Sequence, residues 1–85
     1  MIYRLVYTRR AEKDIKKLDP NIKERIGKAL LRYSEEPLRF AEKISDPMLG
    51  GYRFRIGDYR VIFDIEENEI NVLRVGHRRE IYRRR

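Results

Sequence analysis

The chain contains no cysteine and a single histidine. Without thiols there can be no disulfide and no thiolate metal site. One imidazole leaves a structural zinc site without its ligands, so neither a metal nor a cofactor is expected. No apolar run approaches the ~20 residues that span a bilayer, and no apolar stretch behind Met1 would serve as a secretory leader. The reading is a cytoplasmic protein with no membrane partner. At 85 residues, with no repeat, linker or composition break, residues 1–85 form one small domain. Its core will be thin, because small domains bury a smaller share of their surface.

What the chain has in excess is positive charge. Lys and Arg number 21 against 14 Asp and Glu, giving a net charge of +7. Charged residues make up 41% and the mean hydropathy is −0.76, values that raise the question of disorder. Leu, Ile, Val and Phe answer it: they total 24 of 85, above the share at which chains fail to fold. A folded, basic domain points to an anionic partner: nucleic acid, an acidic protein or, least favoured, a membrane surface. The bland alternative is a surface rich in ion pairs. All six lysines lie in residues 1–49, whereas from Gly50 onward every base except His77 is arginine, nine in all. The planar arginine fork fits phosphate, whereas lysine is a flexible point charge, which favours the C-terminal half for the anion chemistry.

Residues 2–7 alternate and read as a strand. Thr8 caps a helix carrying Ala11, Ile15 and Leu18 on one face. Asp19-Pro20 then stops that helix and starts a second, with Pro20 as its first residue. The second helix runs to about Tyr33 and buries Ile22, Ile26, Ala29, Leu30 and Tyr33. Glu36-Pro37 ends it. Residues 38–49 read as irregular, with a turn at Asp46-Pro47. Three strands follow, at 52–56, 59–66 and 69–75, joined at Gly57-Asp58 and Glu67-Asn68. A basic tail runs from His77 to Arg85. The fold class is α+β, in the order β-α-α-β-β-β, with a helical hairpin on one face of an antiparallel-rich sheet.

A turn at Gly57-Asp58 sets the register of the first hairpin. Ile56 pairs with Tyr59, Arg55 with Arg60, Phe54 with Val61, and Tyr52 with Phe63. Tyr52, Phe54, Ile56, Tyr59, Val61 and Phe63 then face the core, and Arg53, Arg55 and Arg60 face away. Like charges opposite one another destabilise a strand pair, so an anion should compensate. A phosphate fits the forked donors; Asp58, Asp64 or a loop glutamate is the structural alternative. The second hairpin, closed at Glu67-Asn68, pairs Arg60 with Val75 and brings His77, Arg78 and Tyr82 toward the arginines.

The stretches Gly51-Tyr52-Arg53-Phe54-Arg55-Ile56-Gly57-Asp58-Tyr59-Arg60-Val61-Ile62-Phe63 and Val75-Gly76-His77-Arg78-Arg79-Glu80-Ile81-Tyr82-Arg83 resemble the RelE family, toxins of the RelE/ParE toxin–antitoxin superfamily. The length, leading strand and helical hairpin agree with it. The resemblance implies a metal-independent endoribonuclease that cuts mRNA in the ribosomal A site. The 2′-OH attacks the adjacent phosphate, leaving a 2′,3′-cyclic phosphate and a 5′-OH. It places the basic sheet positions on Arg53, Arg55 and Arg60, the tail arginine on Arg78 and the tail tyrosine on Tyr82. Arg60 and Arg78 suit stabilisation of the charge that builds at phosphorus. Some relatives carry lysines where this chain has Arg53 and Arg55. Arginine stays protonated, which leaves Tyr82 and His77 as candidate bases, with other lysines and ribosomal RNA groups also open. Stacking on a base is the alternative role for Tyr82. The implied partners are the ribosome and mRNA, a cognate antitoxin with an amphipathic helix, and DNA only through the antitoxin complex. Two rivals remain: a ParE-like DNA gyrase inhibitor, which shares the fold but lacks the RNA-cutting residues, so that Arg53, Arg55, Arg60, Arg78 and Tyr82 argue against it, and a non-catalytic RNA-binding relative, which the same arginines would serve.

Overall fold

The computed structural model describes residues 2–46 and 48–82. Pro47 of the expected turn and the last three arginines of the tail lie outside them. Strand β1 spans Arg4–Tyr7, helix α1 Arg9–Lys16, α2 Pro20–Tyr33 and α3 Pro37–Phe40. Strand β2 is Glu42–Lys43, β3 Tyr52–Ile56, β4 Tyr59–Glu66 and β5 Glu69–His77. The five strands form one sheet in the order β1-β5-β4-β3-β2. Only β1 and β5 run parallel. No helix among the described residues is long and apolar enough to cross a membrane.

The local chemistry explains the helical hairpin. Thr8 is extended, and its hydroxyl accepts the Ala11 N–H, satisfying a donor that the helix cannot. Asp19 occupies the N-cap position of α2 with extended backbone but makes no side-chain cap bond. Pro20 starts the helix without needing a donor. Ile26 and Leu30 are buried against the sheet, with Ile22, Ala29 and Tyr33 packed beside them. Rings then tie the layers together. Phe54 stacks on Phe63 at 4.2 Å, Tyr33 tilts over Phe54 at 4.9 Å, and Phe40 stacks on Tyr33 at 4.5 Å.

The structure corrects the sequence reading in three places. The segment read as irregular holds α3 and the short edge strand β2. Phe40 anchors α3 on Tyr33, and β2 pairs Glu42 with Arg53. β5 continues to His77, two residues past the expected end. Its register also slips: Phe63 pairs with Val72 but Ile62 with Arg74, so Leu73 is the extra residue of a bulge. Arg60 therefore pairs with Gly76, not with Val75. The signal was present in the sequence, since Ile70, Val72 and Val75 break a spacing of two.

Beyond Val72, β5 has lost β1 as a partner. The Thr8 N–H donates to the Val72 carbonyl, and the Thr8 hydroxyl donates to that of Leu73. Asp14 Oδ2 accepts both the Val75 N–H at 3.0 Å and Arg74 Nε at 2.9 Å. α1 thus completes an edge that would otherwise carry unpaired backbone groups.

Candidate functional site

The first hairpin has the register read from the sequence, including Arg55 opposite Arg60. Gly57 has φ +61 and begins the turn, and a Cβ there would collide with the Arg25 guanidinium. The juxtaposed arginines are separated by their partners. Arg60 is buried, at 7% exposure, and its Nη1 donates to the carbonyls of Gly57 at 2.9 Å and Tyr59 at 2.8 Å. Arg55 turns the other way, with its Nε 3.0 Å from Glu42 Oε1. The same oxygen accepts Arg53 Nε at 2.9 Å. One carboxylate oxygen therefore bridges two guanidiniums, meeting the need for a compensating anion with a glutamate from the segment read as a loop. The hydrogen bond from Arg53 is the main cause holding the Glu42 carboxyl below the ordinary glutamate range, while Arg53 itself is pushed up by its bond to Glu42.

The tail supplies the second half of the site. Ile81 is buried at 1% exposure, and its Cδ1 lies 3.2 Å from where a Cβ at Gly76 would stand. Gly76 faces the arginine side because its partner Arg60 does, so Ile81 docks the tail on that face. One residue on, the Tyr82 hydroxyl accepts Arg53 Nη1 at 2.8 Å. The tyrosine ring lies 5.7 Å from the guanidinium carbon. A cleft of about 240 Å3 opens beside them, lined by Lys43, Ile44, Ser45, Leu49, Arg53 and Tyr82 among others. Arg78 returns to the hairpin turn: its N–H donates to the Asp58 carbonyl at 2.8 Å, and its Nε lies 3.7 Å from the Asp58 carboxylate.

Of the six residues singled out from sequence, Arg53, Arg55 and Tyr82 form one group, joined by Glu42. Arg60 and Arg78 form a second at the Gly57-Asp58 turn. His77 stands apart from both. It pairs with Tyr59, whose strand position faces the helices, and the two rings meet edge-on at 5.5 Å. His77 Nδ1 accepts the Arg79 N–H at 3.1 Å. With Asp14, Lys17, Asp19 and Glu80 it lines a larger cleft of about 430 Å3 at the end of α1. The bulge at Leu73 is the reason, because it resets which face each later residue of β5 occupies.

Chemically, the arginine face offers forked donors around a position already filled by an oxygen anion, with a phenol hydroxyl beside it. That arrangement suits a phosphate oxygen better than a neutral group, since charge-assisted bonds from guanidinium are both strong and directional. Among the described residues no group of three or more His, Cys, Asp or Glu is gathered as a metal site needs.

The fold and this face define a small α+β domain built around a cationic sheet surface. Comparison with known proteins gives the class. The pattern of the family "ParE toxin of type II toxin-antitoxin system, parDE" matches residues 5–82. Toxin RelG of Mycobacterium tuberculosis is 36% identical over 87 residues, covering 99% of this chain and 100% of the relative. The toxin–antitoxin complex RelBE2 of Mycobacterium tuberculosis contains a chain that superposes with a TM-score of 0.81 at 28% identity, over 91% of this chain and 99% of that one. A double arginine-to-alanine mutant of the E. coli toxin RelE, in the free state, superposes with a TM-score of 0.76 at 27% identity, over 96% and 92%. The chain belongs to the RelE/ParE superfamily of toxins of type II toxin–antitoxin systems.

Proposed function

We propose that this toxin is a ribosome-dependent mRNA endoribonuclease acting in the A site, without metal or cofactor. The observation that carries the reading is the convergence of Arg53 and Arg55 on one anion, with the Tyr82 hydroxyl bonded to the same Arg53. A phosphodiester takes the place of that anion. The 2′-oxygen attacks phosphorus, its proton passes to a base, and the bond to the 5′-oxygen breaks as that oxygen gains a proton. The products are a 2′,3′-cyclic phosphate and a 5′-OH. The guanidiniums hold the charge that develops on the non-bridging oxygens. Arg60 is buried and holds the hairpin turn, and Arg78 beside it carries the exposed positive charge at that end of the strand. Tyr82 borders the small cleft and is the proton-carrying tail group nearest the arginines. In this reading His77 acts through the tail it begins, not on the phosphate.

The RelBE2 structure is described as a toxin–antitoxin complex. By that likeness this chain pairs with a cognate antitoxin carrying an amphipathic helix, and contacts DNA only through that complex. Exposed Leu31 and Leu38 offer apolar surface of the kind such a helix covers. The ribosome and mRNA are the other partners, held through the net positive charge.

A second reading, inhibition of DNA gyrase, is favoured by the family pattern itself, which is that of ParE. Induced expression in cells separates the two. The endoribonuclease reading predicts rapid loss of intact mRNA with undamaged DNA. DNA breaks and a damage response with intact mRNA would replace it with the gyrase reading.

A further inference from the structure

We propose that Glu42 is the resident anion of the phosphate site, holding Arg53 and Arg55 in the free protein and giving way to RNA, so that it sets how tightly RNA binds there. This rests on the reading that the arginine face receives RNA phosphate. Glu42 Oε1 lies 2.9 Å from Arg53 Nε and 3.0 Å from Arg55 Nε. Those are the distances at which the two Nε groups would hold a single phosphate oxygen, so a phosphodiester cannot engage both forks through Nε while the carboxylate stays.

The surrounding structure allows the exchange. β2 consists of two residues at the sheet edge, and its pairing with β3 is through backbone, so the side chain can swing out without unpairing the strand. Glu42 is nearly half exposed, so its carboxylate can turn toward solvent. Arg53 keeps a second bond, from Nη1 to the Tyr82 hydroxyl, that does not depend on Glu42. Asp64, on the same face, is occupied by the Gly51 N–H at 2.6 Å. An exposed pair of this kind is weak. Glu42 therefore competes and does not block: RNA displaces it and binds more weakly by the factor that the competition costs.

The test is binding of a 2′-O-methyl single-stranded RNA hexamer, which cannot be cut, measured by fluorescence anisotropy. Glu42→Gln keeps the shape and removes the charge, and should bind roughly 3–10-fold more tightly than wild type. Removing any acid from a basic protein strengthens RNA binding somewhat, so Glu24→Gln, an exposed residue of α2 paired with Lys28, is the control. It should shift affinity less than twofold, on the order of a screened surface charge. An unchanged or weaker Glu42→Gln, or equal gains in both variants, would overturn the proposal. The result is separable from the nuclease reading: if wild type fails to cut mRNA on the ribosome but the binding contrast holds, Glu42 remains the competitor of an anion site and only the cleavage reading falls.

Discussion

Replacing Ile81 with alanine tests how the tail is joined to the domain. Its side chain is 1% exposed and sits over Gly76, on the sheet face opposite the helices. The mutation deletes three buried carbons, each worth about 0.8 kcal/mol of transfer free energy. It also leaves a void that the rigid sheet cannot fill, so a loss of about 2–4 kcal/mol is expected. A domain of this length is stable by roughly 4–13 kcal/mol. The variant should therefore unfold at a clearly lower urea midpoint with an unchanged slope, and melt roughly 10–25 °C lower. Arg79→Ala is the neighbouring control. Its side chain is exposed and its bond to His77 is made by the backbone, so it should stay within about 0.5 kcal/mol of wild type. If Ile81→Ala is as harmless as Arg79→Ala, the tail is not docked as described, and the placement of Arg78 and Tyr82 falls with it.

Four further outcomes follow from the same geometry. Thr8→Ala removes both the cap of α1 and the bond to the Leu73 carbonyl, and should cost about 0.5–2 kcal/mol in denaturant unfolding, with Thr8→Ser restoring most of it. Glu67 holds φ 53 in the turn between β4 and β5, a strained conformation for a residue with a Cβ, so Glu67→Gly should stabilise by up to about 1 kcal/mol; a less stable variant would refute the strain. The Glu42 carboxyl should titrate below 4.5 by NMR and move back toward it in Arg53→Gln. Because that value is depressed on folding, the contact is fully present above 4.5 and lost as pH falls through the folded value, and a midpoint at or above 4.5 would contradict it. Tyr82→Phe should cut mRNA more slowly than wild type; equal cutting would make the hydroxyl a bystander.

The sequence carried the parts of the fold that depend on local chemistry. Thr8, Pro20 and the Gly57-Asp58 turn are positions where one residue type satisfies a specific backbone need, so they could be read one at a time. The facing of Arg53, Arg55 and Arg60 followed from that turn, because register propagates from it by alternation. The parts that were missed depend on contacts distant in sequence. α3 is four residues long and β2 only two, too short for any periodicity to show, and their placement comes from Phe40 on Tyr33 and Glu42 beside Arg53. The bulge at Leu73 was marked only by a three-residue step between Val72 and Val75, yet it decided that His77 would face α1 and not the arginines. A loop glutamate was among the anions expected to compensate the arginines, but its identity as Glu42 was not legible, because an acid in an apparent loop carries no sign of the two guanidiniums that the sheet brings to it.

The central claim is that the arginine face cuts mRNA on the ribosome. Primer extension on mRNA programmed into ribosomes with an empty A site, run beside the same mRNA free in solution, tests it most directly. The account predicts a new 5′ end within the A-site codon on the ribosome, in the absence of added metal beyond what the ribosome needs, and little or none in the free mRNA. Intact mRNA in both reactions, from a protein shown by its melting curve to be folded, would contradict it.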